Sequence, residues 1–213
     1  MKLARVQIPH LLQTHLKNCH DCTTQMALQV VSFDIGIKNL AYCIVEKAAD
    51  GAVDIKYLEK VDLGCRKNET QKIIDATIAL MDDIMFTKLD TALPIVVLIE
   101  SQMTSIMKCI QNVINTYFKV VARYQSADIT TKFVSAKHKL NLIASYSKVY
   151  TPPDDKLCGT KYQQNKKDSV DFGRWLLANK YKNEELLTRL NASKKVDDEY
   201  DVLLMCVYYV EMA

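Results

Sequence analysis

The chain has 213 residues, of which 49% are hydrophobic, and this is enough to bury the core of one domain or of one domain with appendages. No apolar run reaches the about 18 residues of a membrane span, so we predict that the chain does not cross a membrane. The formal net charge is only +3, and the seven cysteines are an odd number. That number argues against a disulfide framework and for reduced thiols in an intracellular protein.

The first 27 residues are predicted to be a flexible N-terminal extension. They are basic and poor in acids, which would also suit a weak mitochondrial presequence. The segment NCHDC holds a lone CxxC pair, Cys19 and Cys22, but no second ligand pair follows at a suitable spacing, so we do not predict a zinc site there. Residues 28–213 are predicted to form one domain, and Met26 is an alternative start.

After the extension the hydrophobic pattern predicts strands at Leu28–Phe33 and Ala41–Val45, joined by a short turn that contains GIKN. The other predicted elements are strands at Val53–Leu63, Leu93–Ile99 and Lys132–Ser135, helices at Thr70–Met85, Met103–Tyr124, Lys166–Leu177 and Asp197–Met212, and an irregular segment at Lys137–Tyr162. This order predicts an α/β fold in which helices pack on one five-stranded mixed sheet.

Carboxylates stand at three notable places in this pattern. Asp34 ends the first strand, among apolar neighbours, and Glu100 ends the most hydrophobic strand. The last helix opens with Asp197, Asp198 and Asp201. A spacing of three places Asp198 and Asp201 on one helical face, and the apolar residues that follow predict a buried helix whose first turn points toward the sheet edge.

Four clustered carboxylates repel one another, so such a site is stable mainly when divalent cations neutralise it. Hard oxygen ligands favour Mg²⁺ or Mn²⁺. Two such ions about 4 Å apart would activate water and stabilise the leaving oxygen of a phosphodiester. Two simpler interpretations stay open at this stage. Acids at a helix N-terminus are common caps, and a glutamate after a strand is often just the first exposed residue.

Positive charge is concentrated in one part of the chain. The segment Lys132–Lys195 holds 14 Lys and Arg against six Asp and Glu, although the whole chain has a net charge of only +3. Such an asymmetry predicts a surface that binds a polyanion, or else a solvated surface rich in lysine.

Four segments resemble the motifs of RuvC-type Holliday junction resolvases. They are SFDIGIKNLAYCIVE, VLIESQ, KKDSV and KKVDDEYDVLLM. The similarity is greatest to the enzymes of poxviruses and related large DNA viruses, with the fungal mitochondrial resolvases near them. It extends from about residue 28 to residue 213. The extension and the segment SYSKVYTPPDDKLCGT, which looks longer than usual, depart from the family pattern.

The resemblance implies an RNase H-like fold and a homodimer that nicks four-way DNA junctions symmetrically, with two Mg²⁺ or Mn²⁺ ions in each active site. It assigns the metal ligands to Asp34, Glu100, Asp198 and Asp201, with Asp197 as a competitor for the last assignments. The family lysine matches Lys167 best and its neighbour Lys166 next. If the protein is viral, it is expected in the host cytoplasm or nucleus, with the mitochondrion as the alternative.

Phosphate contacts to the junction arms are expected from lysines, because such contacts carry affinity and not base sequence. The candidates are Lys132, Lys137, Lys139, Lys166 and Lys167. The helix Met103–Tyr124 has few charges and is predicted to supply apolar surface to the dimer. The alternative functions are another RNase H-like nuclease, acting on branched DNA or RNA–DNA hybrids, and a junction-binding protein without catalysis.

Overall fold

One five-stranded mixed sheet organises the protein. The computed structural model describes residues 26–135, 137–153 and 159–212. The strands are β1 (Leu28–Asp34), β2 (Leu40–Lys47), β3 (Val53–Val61), β4 (Ile95–Glu100) and β5 (Ile129–Val134). Their order across the sheet is β3-β2-β1-β4-β5. The first three strands pair antiparallel, and β1, β4 and β5 pair parallel. The predicted α/β fold with a mixed five-stranded sheet is confirmed.

Helices cover both faces of the sheet. They are α1 (Thr70–Thr87), α2 (Ser105–Gln125), α3 (Lys137–Ser145), α4 (Lys161–Trp175), α5 (Glu184–Asn191) and α6 (Asp197–Met212), and α4 continues into a π-helical segment, Leu176–Lys180. Helices α1 and α2 pack on one face, and the other four cover the opposite face. No helix among the described residues is long and apolar enough to span a membrane.

The two faces share the side chains of β1 in alternation. Val31 and Phe33 point into the core beside α1 and α2, whereas Val30 joins the core beside α6. Because successive side chains of a strand point to opposite faces, a strand covered on both sides must be apolar at nearly every position. This explains the continuous apolar run of β1. It also places Ser32, which is fully buried, on the α6 face.

The prediction of an irregular segment at Lys137–Tyr162 is wrong at both of its ends, since α3 forms at the start and α4 begins at Lys161. In α3, Leu142 is fully buried, and Ile143 packs against the same core. The start of α4 is fixed by a reciprocal cap. The side chain of Thr160 accepts from the backbone N–H of Gln163, and the side chain of Gln163 accepts from the backbone N–H of Thr160.

Helix α5 was not predicted either. It has only eight residues, and the side chain of Asn183 caps it by accepting from the backbone N–H of Leu186 at 3.0 Å. Leu190 is fully buried against the core beside α6. A segment so short is stabilised mainly by this packing, because an isolated helix of eight residues is marginal in water.

The cysteines described by the structure are free thiols: Cys43, Cys65, Cys109 and Cys206. Cys206 is buried, and its Sγ lies 3.2 Å from Oγ of Ser32. These residues therefore act as core or surface side chains and not as a disulfide framework. The CxxC pair Cys19 and Cys22 lies outside the described residues, as does the extension up to residue 25.

Candidate active site

Asp34 and Glu100 end two neighbouring parallel strands. In the register of β1 and β4, Phe33 pairs with Ile99, so the two carboxylates follow as the next pair. Both residues are half-buried. Val96 and Leu98 of β4 point toward α6, and the alternation of the strand gives Glu100 the same direction. By the same rule Asp34 shares the face of Val30 and Ser32. The two carboxylates thus lie side by side on the α6 face.

Helix α6 runs antiparallel to β1 and brings its first turn above these strand ends. The Oγ of Ser32 donates to the carbonyl of Val202 at 2.7 Å, which fixes the N-terminal half of α6 near the end of β1. At the other end, Nζ of Lys47 donates to the carbonyl of Val210 at 2.8 Å. Lys47 pairs with Leu28, the first residue of β1. The acids that open α6 therefore lie at the same edge of the sheet as Asp34 and Glu100.

The acids at the start of α6 are mostly buried. Asp198 and Asp201 are 9% and 8% exposed, Glu199 is 4% exposed, and Asp197 is half-buried. Burial of a carboxylate is costly unless hydrogen bonds or a positive charge compensate for it. Asp197, Asp198 and Glu199 form ion pairs with basic residues.

Each ion pair involves a different cation. Asp197 contacts Nζ of Lys166 in α4. Oδ2 of Asp198 lies 3.2 Å from Nζ of Lys195, but this oxygen has no hydrogen bond within the described residues. Oε2 of Glu199 lies 3.1 Å from Nζ of Lys60 in β3.

The contact between Lys166 and Asp197 also changes the proton affinity of both groups. Burial disfavours the charged form of Asp197, but the hydrogen bond and the charge of Lys166 outweigh it and hold the pKa of Asp197 below its usual value. Burial likewise opposes the charge of Lys166, and Asp197 more than offsets it, so the pKa of Lys166 is raised. Both groups are therefore charged at neutral pH.

The donor set suits a hard divalent cation in kind, since it consists of carboxylates and includes one buried oxygen of Asp198 without a hydrogen-bond partner in the described part of the chain. The carboxylates are not gathered into a metal cluster, however. Among residues 26–135, 137–153 and 159–212, no three or more His, Cys, Asp or Glu side chains lie close enough together to hold an ion. Side chains at this edge would have to move toward a cation in order to bind it.

The structure separates the two candidate lysines of α4. Nζ of Lys167 lies 2.7 Å from Oδ2 of Asp171, one helical turn away, whereas Lys166 reaches across to Asp197 in α6. Lys166 also lies over the ring of Tyr162, 5.4 Å from its centroid. Lys166 is thus in direct contact with the first residue of α6. The assignment of the family lysine to Lys167 or Lys166 stays a prediction.

The proposed phosphate-binding lysines are spread over three elements. Lys132 is exposed on β5, where its Nζ is 2.9 Å from the hydroxyl of Tyr209 and 4.7 Å from the centroid of that ring. Lys137 and Lys139 belong to α3, but their side chains lie outside the described residues. Lys166 and Lys167 follow each other in α4.

Sequence reasoning missed two of the lysines that pair with the acids of α6, Lys60 and Lys195. Glu199 pairs with Lys60 across 139 positions of the chain, and no local pattern announces such a pair. The role of Ser32 could have been found, because a serine inside a buried strand needs a hydrogen-bond partner, and the carbonyl of Val202 is that partner.

No family model matches the sequence, and no curated protein sequence matches it. Solved structures do match the fold. The yeast mitochondrial Holliday junction resolvase Ydc2 matches with a TM-score of 0.59 and 19% identity, over 85% of this chain and 78% of that chain. The RuvC structure from Thermus thermophilus matches with a TM-score of 0.51 and 12% identity, over 87% of this chain and 96% of that chain.

These likenesses extend over most of the chain. At such low identities they show the fold and not the activity. The fold is RNase H-like and is the one that RuvC and the yeast resolvase share. The RNase H-like fold that the motifs implied is confirmed.

Proposed function

We propose that the protein is a structure-selective DNA endonuclease that resolves four-way (Holliday) junctions in DNA recombination and in the processing of replication intermediates. The observation that carries this proposal is the edge of the sheet where Asp34 and Glu100 end parallel strands beneath the buried acids of α6. The fold supports it, because the same architecture belongs to a yeast mitochondrial Holliday junction resolvase.

In this proposal Asp34, Glu100, Asp198 and Asp201 hold two Mg²⁺ or Mn²⁺ ions. Ions bound there would supply Lewis-acid activation of the attacking water and of the leaving oxygen. The chain's own part is to present the carboxylates from rigid elements. The strand ends fix Asp34 and Glu100, and the hydrogen bond from Ser32 to α6 fixes the helix that carries the other two.

Lysines of α4 are proposed to act on the substrate. Lys167, or Lys166 beside it, would lie near the scissile phosphate and offset its developing negative charge as a point donor. The same two lysines, with Lys132, Lys137 and Lys139, are proposed to contact the phosphates of the junction arms. Binding of this kind weakens steeply with salt, since each phosphate contact releases counterions.

The experiment that tests the function compares substrates under one set of conditions. An immobile four-way junction should be nicked in Mg²⁺ at symmetrically related positions, and linear duplex, flap and RNA–DNA hybrid substrates should be cut far more slowly. Preferred cleavage of the hybrid or the flap would instead identify a different RNase H-like nuclease. Tight junction binding without any cleavage in Mg²⁺ or Mn²⁺ would identify a binding protein.

A homodimer is also proposed, because paired nicks across a junction require two sites related by a two-fold axis. Helix α2 buries Ile110, Ile114 and Phe118 against the sheet and leaves apolar side chains outside, including Val120 and Tyr124, which are 46% and 84% exposed. We expect Val120→Glu with Tyr124→Glu to shift the protein from dimer to monomer in analytical ultracentrifugation at micromolar concentration.

The control for the dimer is Thr188→Glu, which adds one negative charge, against two in the α2 variant, at an exposed position of α5 on the other side of the sheet. This variant should remain dimeric. The proposal fails if the unaltered protein sediments as a monomer both alone and bound to a junction.

The extension is proposed to be dispensable for chemistry, since every proposed ligand follows Met26. A chain that begins at Met26 should nick junctions at close to the rate of the full chain in the same assay. Loss of soluble protein, or of cleavage, would show that residues 1–25 are needed for the fold or the site.

We propose that the protein acts inside the cell, where the DNA substrate lies. The mitochondrion is the alternative.

A further inference from the structure

Three neighbouring acids open α6, and each pairs with a different lysine, while Glu199 also has Arg189 at 3.8 Å. The partners of Asp197 and Glu199 are held by surrounding structure, because the side chains of Lys166 and Lys60 are only 33% and 22% exposed. The partner of Asp198 differs. The side chain of Lys195 is 55% exposed, although the carboxylate that it faces is 13% exposed.

The backbone of Lys195 is held by a hydrogen bond from a neighbouring strand. Nζ of Lys60 donates to the backbone carbonyl of Lys195, which holds the residue in front of α6. The ammonium group extends from there to Asp198. With the amide of Asn39 turned so that its nitrogen donates to the carbonyl of Lys38, the Asn39 oxygen accepts from Nζ of Lys195 at 3.2 Å. Asn39 lies in the turn that follows Asp34, so the ammonium bridges the two sides of the candidate site.

We propose that Lys195 is a displaceable counter-ion of the candidate site, which neutralises Asp198 in the cation-free protein and leaves it when a divalent cation binds. This inference rests on the proposed function, because it assumes that Asp198 is a metal ligand. It assigns a role to a lysine that lies in the segment KKVDDEYDVLLM but was not among the predicted site residues. Lys195 offsets the charge of Asp198 while no cation is present.

The contacts support displacement over permanent pairing. The 3.2 Å approach of Lys195 to Oδ2 of Asp198 does not form a hydrogen bond, and this oxygen has no other partner in the described part of the chain. An ion pair whose lysine is mostly exposed to water is weak, so a divalent cation can displace it at the cost of about five-fold in affinity. An ammonium group left beside the bound cation would also repel it.

The test measures cation binding and not cleavage. Mn²⁺ affinity is measured without DNA, by electron paramagnetic resonance of free Mn²⁺, on the full-length protein and three variants. Lys195→Met should bind Mn²⁺ about five-fold more tightly, because the competing charge is gone. Lys195→Arg should bind like the parent, since it keeps the charge. Lys194→Met removes the same charge from the neighbouring position and should also bind like the parent.

The outcomes separate this inference from the proposed function. Equal or weaker binding by Lys195→Met overturns the inference, since a lysine that only held the fold would loosen the site when removed. Asp198→Asn should lose the tightest Mn²⁺ site. If the parent protein binds no Mn²⁺, or if Asp198→Asn binds it unchanged, the metal assignment of Asp198 is wrong and the inference falls with it. Thermal unfolding of the cation-free variants should show a small loss for Lys195→Met and none for Lys195→Arg.

Discussion

Glu100→Gln and Asp198→Asn are expected to lower junction nicking in Mg²⁺ by ~100-fold or more, and to leave junction binding in EDTA intact. Each change keeps the size of the side chain but removes a negative charge and a strong oxygen ligand. Binding without metal should be kept or slightly tightened, because DNA phosphates approach the carboxylates at this edge of the sheet and one repelling charge is gone. The measurements are a gel shift in EDTA and a nicking assay in Mg²⁺ on the same preparations.

The control for this experiment is Asp75→Asn, the same chemical change at an exposed position of α1 on the opposite face of the sheet. It should nick at the parent rate. Asp197→Asn should retain far more activity than Asp198→Asn, because Asp197 is already paired with Lys166. Parent-like nicking by Glu100→Gln would remove Glu100 from the ligand set. Loss of binding together with cleavage would show that the carboxylates serve the fold.

The elements that the sequence predicted share one property. In each of them, the pattern of hydrophobic residues along the chain matches the burial found in the structure. The strand ending at Asp34 and the strand ending at Glu100 are buried on both faces and read as continuous apolar runs. Helix α6 is apolar from Val202 to Val210, where it packs on the sheet. The sequence of each such element is enough to predict it. Because β1 and β4 run parallel, their carboxyl ends lie at the same edge of the sheet.

The parts that the sequence did not predict depend on contacts with distant residues. Helix α5 forms because Leu190 meets a core assembled from other elements, and its own eight residues carry too little pattern. The lysines that pair with the acids of α6 come from β3, from α4 and from the position two residues before the helix, and Arg189 of α5 lies 3.8 Å from Glu199. The fold alone brings these three lysines to the acids of α6. Their pairing with those acids could therefore be assigned only once the fold was known.

Gly173→Ala is expected to destabilise the protein, although alanine is favoured over glycine inside a helix. Gly173 lies in α4, where α4 crosses α6. A Cβ atom at this position would lie 2.2 Å from Cδ1 and 2.9 Å from Cε1 of Tyr200. Tyr200 is fully buried, so its ring has little room to retreat. Alanine gains about 1 kcal/mol in helix propensity, whereas overpacking costs typically 1–3 kcal/mol and more at so short a distance. We expect a net loss of ~1–2 kcal/mol in the free energy of unfolding by urea.

Two further variants identify the cause of that loss. Gly159→Ala makes the same substitution, but its Cβ would meet the end of the flexible Gln163 side chain, so a smaller loss is expected. In a Tyr200→Leu background the ring is absent, and Gly173→Ala should become neutral or stabilising, because only the gain in helix propensity remains. An equal loss in both backgrounds would mean that the alanine side chain does not clash with the ring.

The contact between Gly173 and Tyr200 also affects the site, since Tyr200 lies between Glu199 and Asp201. A ring pushed away from α4 would displace the acids of α6, so Gly173→Ala should also slow junction nicking at temperatures where the protein remains folded.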